Sequence, residues 1–193
     1  DFSEVFEEGN FPASSHGLIW SDQNNVTHFG QMYYPATTQG AATPIDNTSG
    51  PYPLLIWIGA DGEANDQYDW LGMYLAEAGY ITIVLPPDWN SADTQNQCLS
   101  ILYLWYRLEY NHNNGSFQGD PENMRDSFDL DHWGIGGHGL GAKQAAQCQM
   151  ILSGDWSEFV ALPLPTALVA LGLENVNTDI TDESLGPSPE PGM

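Results

Sequence analysis

Basic residues are almost missing from this chain. Lys and Arg together number 3 (Arg107, Arg125 and Lys143) against 26 Asp and Glu, for a formal net charge of −23 over 193 residues. Neutralising phosphates takes Lys and Arg, so nucleic acid is excluded as a partner and an anionic lipid surface is a poor one. Charged residues make up only 15% of the chain, where soluble domains average about 25%. The imbalance is therefore a shortage of cations, not the crowd of carboxylates a halophile displays. No apolar run reaches the roughly 18 residues of a membrane span, so no transmembrane segment is expected. Cysteine is also scarce: Cys98 and Cys148 admit a single possible disulfide.

What is present supports one globular domain. Hydrophobic residues make up 41% of the chain, with seven Trp, nine Tyr and seven Phe, enough for a sizeable core. The first residue is Asp, not Met, which reads as a processed chain whose targeting segment has been removed. Asn25, Asn47 and Asn114 each open an Asn-x-Ser/Thr acceptor pattern for N-glycosylation. An exported protein or one held in an organelle lumen is expected.

Residues 1 to 15 read as polar loop, followed by two short strands in "HGLIWSD" and "THFGQMYYP". "LLIWIG" (54 to 59) and "ITIVLPP" (81 to 87) are apolar runs of the kind buried on both faces of a parallel sheet. Between them Trp70, Leu71, Tyr74, Leu75 and Ala78 recur at helical spacing, and Gly79 stands where a helix end favours a left-handed residue. A long helix follows from Ser91 to Tyr110, carrying Leu99, Leu102, Leu104, Trp105 and Leu108, then a polar flexible segment from Asn111 to Asp126. "HWGIGGHGLGAKQAAQ" (132 to 147) reads as strand, glycine-rich turn and helix, and "PTALVALGL" (165 to 173) as a further strand. Alternating strand and helix predict an α/β fold, a mostly parallel sheet with helices on both faces. The domain is expected over 1–175, with 176–193 an extended acidic tail containing Pro and Gly.

In order and spacing, "YYP", "YPLLIWIGADG", "AEAGY", "ITIVLPPD", "DLDHWGIGGHGLGAKQAA" and "TALVALGLE" resemble the α/β-hydrolase fold family. The nearest branch is the small-esterase group of platelet-activating-factor acetylhydrolases, cutinase-like polyester hydrolases and chlorophyllases. The resemblance spans roughly residues 28 to 175. The family's nucleophile turn is Gly-x-Ser-x-Gly, and here Gly137, His138, Gly139, Leu140 and Gly141 take its five places. Gly139 stands where the serine is expected, and glycine carries no oxygen with which to form an acyl-enzyme. The family's base follows the nucleophile along the chain, yet no histidine follows His138; the others are His16, His28, His112 and His132. His138, beside the nucleophile position, is expected to be structural.

The resemblance assigns the oxyanion segment to Gly59-Ala60-Asp61-Gly62, where an anionic Asp61 opposes a developing oxyanion. Glu174 matches a strand-end carboxylate with neither serine nor base to orient. The chain ends before the family's usual last two strands and closing helix, so a C-terminally shortened fold or an incomplete sequence is implied. The family also packs the helices carrying Cys98 and Cys148 on one face of the sheet, which makes their disulfide possible. Trp89, at a strand's C-terminal edge, joins Gly59, Ala60, Asp61, His138, Gly139 and Leu140 as candidate cleft residues, because ligands in this architecture bind at that edge.

Asp120, Asp126, Asp129 and Asp131 do not follow the spacing of a calcium loop and read as turn chemistry, so no metal is assigned. "GIGGHGLG" lacks a phosphate-binding spacing and its lysine, and no cofactor is expected. The expectation is a catalytically inactive α/β-hydrolase-like protein, a structural or binding subunit among other protein subunits in an exported or lumenal assembly. Two alternatives are an active serine ester hydrolase with an incomplete or misassigned sequence, and a protein binding a small hydrophobic ligand in the former cleft.

Overall fold

Among the described residues, the apolar runs that the sequence places in strands pair into one seven-stranded sheet. In the computed structural model the described residues are 9–22, 24–86, 94–117, 119–153 and 167–171. The strands are β1 (Ala13–Ser21), β2 (Thr27–Pro35), the two-residue β3 (Gly40–Ala41), β4 (Tyr52–Ile58), β5 (Ile81–Leu85), β6 (Phe128–His138) and β7 (Ala167–Leu171). The helices are α1 (Asp69–Glu77), entered through a 3-10 turn at Asn65–Tyr68, α2 (Thr94–Asn114) and α3 (Leu140–Ser153).

The spatial order is β3-β1-β2-β5-β4-β6-β7. From β5 to β7 all neighbours are parallel, with Leu54 opposite Ile81 and Ile56 opposite Ile135. The β1–β2 hairpin joins antiparallel through Met32 and Ile83. β5 is buried at every residue, as a strand covered on both faces must be, and this is why its sequence is a continuous apolar run.

The two faces carry separate cores. On one, Leu18, Met32, Ile56, Ile83 and Ile135 pack with Cys98, Leu104, Leu108 and Cys148 of α2 and α3. On the other, Tyr33, Trp57 and Val84 pack with Tyr68 and Ala76 under α1. The helices therefore lie on both faces, as the alternation of elements predicts.

α1 is turned so that Gly72 and Ala76 lie deepest, with Leu71 and Met73 packed beside them. Gly72 and Ala76 are its buried residues, whereas Trp70 is 66% exposed. The cause is close approach: a Cβ on Gly72 would lie 2.3 Å from the Tyr33 ring, so the helix sits on the sheet through its smallest side chains. Gly79 follows with φ +89°, the left-handed residue expected beyond the helix end.

The segment from Asn111 is also more ordered than its polarity suggests. α2 continues to Asn114, and buried Asn111 donates to Asp120 at 2.7 Å while accepting from the Phe117 amide at 3.1 Å. Arg107 binds both oxygens of Asp120 (Nε 3.2 Å, Nη2 2.6 Å) and lies 4.9 Å from the Phe117 ring centre. One buried amide and one guanidinium thus organise a loop that reads as flexible. The expected tail 176–193 lies outside the described residues, as does Glu174.

Candidate functional site

β6 ends at His138, α3 begins at Leu140, and the corner between them is Gly139 with φ +55°. This is the strand-turn-helix corner, or elbow, that the resemblance leads one to expect at residues 137–141. Its three glycines have different work. A Cβ on Gly137 would lie 2.4 Å from the Gly141 carbonyl carbon, and one on Gly141 would lie 2.2 Å from the Ile58 carbonyl oxygen. Those two are required by backbone crossing backbone. Among the described residues, a Cβ on Gly139 meets only the Ala60 Cβ, at 3.5 Å, an ordinary contact. The described neighbours leave room for a side chain here.

The β4–α1 loop supplies the facing wall. Gly59 continues the sheet through its amide to the Leu85 carbonyl at 2.9 Å. The next amide, that of Ala60, donates to the Tyr68 hydroxyl at 2.7 Å. The resemblance assigns this loop to the oxyanion segment; Ala60 lies opposite Gly139, and Tyr68 Oη occupies its amide hydrogen. The same hydroxyl lies 3.1 Å from His138 Nδ1. The hydroxyl thus bridges the Ala60 amide and the His138 ring. Burial raises the Tyr68 pKa, with the Ala60 amide opposing that rise and Glu63 adding to it, so the hydroxyl keeps its proton at physiological pH.

Tyr68 was not legible as a site residue. It reaches the elbow from a 3-10 turn 70 residues from His138 in sequence, and "NDQYDW" carries no motif. Of the expected cleft residues, the fold brings together Gly59, Ala60, His138, Gly139 and Leu140. Asp61 is exposed beside them, and Trp89 lies outside the described residues.

The remaining histidines have separate duties. His28 pairs with Asp22 at 3.1 Å, His132 with Asp129 at 2.9 Å, and His16 contacts the Gly119 carbonyl at 2.7 Å. The four aspartates after α2 have separate places: Asp120 serves Arg107, Asp129 serves His132, Asp126 takes φ +59° in a turn, and Asp131 is exposed. Among the described residues, no group of three or more His, Cys, Asp or Glu is arranged to hold a metal ion. Cys98 and Cys148 are joined, with Cα atoms 5.2 Å apart, and tie α2 to α3. Asn25 and Asn47 are exposed in turns, and Asn114 is exposed as the last residue of α2. No described helix is long and apolar enough to cross a membrane.

No protein-family model and no curated protein matches the chain. Solved structures do. A bacterial heroin esterase is 19% identical at a TM-score of 0.55, over 82% of this chain and 44% of that one. Esterase Est22 is 12% identical at 0.54, over 82% and 43%. A ferulic acid esterase from Streptomyces cinnamoneus is 14% identical at 0.51, over 71% and 54%. The parallel crossovers, the elbow and these likenesses define the class: the chain has the α/β-hydrolase fold. It spans about half the length of the esterases it is similar to.

Proposed function

We propose that the cleft at the C-terminal ends of the parallel strands binds a small hydrophobic ligand of the ester or carboxylic acid class without acyl transfer at position 139. The observation that carries this reading is Gly139 itself, which holds the elbow backbone with no side-chain nucleophile. Tyr68 adds to it, because a substrate carbonyl would have to displace its hydroxyl from the Ala60 amide. On this reading the chain is a degenerate, non-catalytic member of the small-esterase branch, and works as a binding or structural subunit. The Cys98–Cys148 bond and three exposed acceptor asparagines support an exported or lumenal setting.

A second reading, ester hydrolysis, is favoured by a specific observation: the similar solved structures are esterases. It requires a nucleophile other than residue 139, in a protein of which this chain is one part.

The test is p-nitrophenyl butyrate turnover by the unaltered chain beside titration with butyrate, followed through the amide resonances of Ala60 and Leu140. The proposal expects no turnover above buffer and a saturable shift at both amides, which Tyr68→Phe tightens by freeing the Ala60 amide. Turnover by the unaltered chain establishes the second reading. Absence of both turnover and shift overturns the two together.

A further inference from the structure

The outer side of α2 carries a row of tyrosines. Tyr103, Tyr106 and Tyr110 recur at helical spacing and share one face of the helix with Asn114, its last residue. Leu104 and Leu108 on the inner side are wholly buried, whereas Tyr106 is 42% and Tyr110 53% exposed. The row continues past the helix end. Phe117, 52% exposed, meets the Tyr110 ring edge-on with centres 6.4 Å apart, and Tyr106 meets Tyr103 in the same way at 6.3 Å.

Asn114 stands at the end of this row and opens the acceptor pattern Asn-Gly-Ser. Its side chain is exposed, and its Nδ2 donates to the Tyr110 carbonyl at 2.9 Å. Side chains on a helix lean toward the N-terminus, and this bond holds Asn114 in that lean, over the turn that begins at Tyr110. The carbonyl takes one of the two Nδ2 hydrogens. A group replacing the other is carried back along the tyrosines.

The other two acceptors are set differently. Asn47 lies exposed in a turn, and Tyr52, the nearest tyrosine in sequence, is buried. Asn25 takes φ +60° in the β1–β2 turn. Its nearest exposed ring in sequence, Phe29, stands four residues on along an extended strand, while Tyr110 is one helical turn from Asn114.

A sugar ring suits the surface that Asn114 overlooks. Its C–H hydrogens carry partial positive charge and match the negative face of a phenol ring, while its hydroxyls remain in water. Arg107 already lies 4.9 Å from the centre of the Phe117 ring, which leaves Tyr110 and Tyr106 as the most exposed rings of the helix row.

We infer that Asn114 carries an N-linked oligosaccharide whose first sugar, an N-acetylhexosamine, packs on Tyr110 and covers the row toward Tyr106. The reaction joins Nδ2 to the anomeric carbon of an oligosaccharide carried on a polyprenyl diphosphate. The anomeric C–O bond breaks, the diphosphate leaves with the electron pair, and Nδ2 gives up one proton. In the folded chain the Ser116 hydroxyl of the acceptor pattern donates to the Pro121 carbonyl, so transfer precedes the folding of this loop. The inference rests on the exported or lumenal setting proposed above and is independent of what the elbow does.

The experiment secretes the full chain from a eukaryotic host behind a supplied leader, so an unmodified Asn114 counts against the site and not against the native setting. Peptide mass spectrometry should find Asn114 occupied. After trimming to the first sugar, the proton resonances of that sugar should be shifted upfield by the Tyr110 ring, and Tyr110→Ser, at an exposed position, should abolish the shift while leaving the occupancy unchanged. Tetranitromethane should nitrate Tyr110 and Tyr106 several-fold more slowly in the occupied chain than in Asn114→Gln. An unmodified Asn114, sugar resonances that Tyr110→Ser does not move, or equal nitration rates overturn the inference.

Discussion

Ala60 and Gly139 face each other across the strand ends, with 3.5 Å between the Ala60 Cβ and the place a Cβ on Gly139 would take. The gap is an ordinary van der Waals distance, so the described neighbours leave room for a side chain at position 139. Substitutions at the three elbow glycines should separate accordingly. Gly139→Ser costs only the left-handed backbone, on the order of 1 kcal/mol. Gly137→Ala and Gly141→Ala drive a methyl into backbone at 2.4 and 2.2 Å and should cost about 3 kcal/mol or more. Urea midpoints of the three variants check the order; a Gly139→Ser variant as unstable as the other two contradicts the geometry.

The Cys98–Cys148 bond closes a separation of 50 residues. Chain-entropy arguments give such a loop about 4 kcal/mol, acting mainly on the unfolded chain. Reduction should therefore lower the urea midpoint strongly without changing the far-ultraviolet spectrum of the folded state at low temperature. Thiol titration in denaturant, with and without reductant, tells whether the purified chain carries the bond.

Asp22 carries the pH dependence that can be read most directly. Burial pushes its carboxyl up, but the bonds from His28 and the amides of Val26 and Asn24 outweigh this and hold it below the usual carboxylate range. A lowered folded pKa stabilises fully above the unfolded value of about 3.9 and is lost as pH falls through the folded value. Asp22→Asn should thus be less stable than the parent at pH 7. The two should converge near pH 2, as measured by urea midpoints across that window; a constant gap at all pH values refutes the assignment.

Arg107 should be the most costly surface-facing residue to lose. Its partner Asp120 has a side chain 3% exposed, and removing one member of such a pair leaves a buried charge, at about 3 kcal/mol. Arg107→Met should destabilise by roughly that amount, and adding Asp120→Asn should restore part of it. Thermal melts of the single and double variants give the comparison.

Legibility in the sequence followed how local the physics was. The buried strands β4 and β5 announced themselves because a parallel strand covered on both faces has to be apolar throughout. The strand-glycine-helix corner at residues 132 to 147 was readable because strand, turn and helix follow one another without interruption in sequence. The exposure of Trp70 was not, since Gly72 against Tyr33 sets how α1 is turned. Asn111 looked like loop because the partner that orders it, Asp120, comes nine residues later. Tyr68 over Ala60 depends on a turn that leaves no periodic trace.

The unequal duties of Gly137, Gly139 and Gly141 bear on how such a chain changes over generations. Some glycine codons differ from serine codons by a single base, and only the middle position tolerates that step sterically. On the proposed reading, position 139 can exchange glycine for serine without rebuilding the turn, whereas positions 137 and 141 cannot.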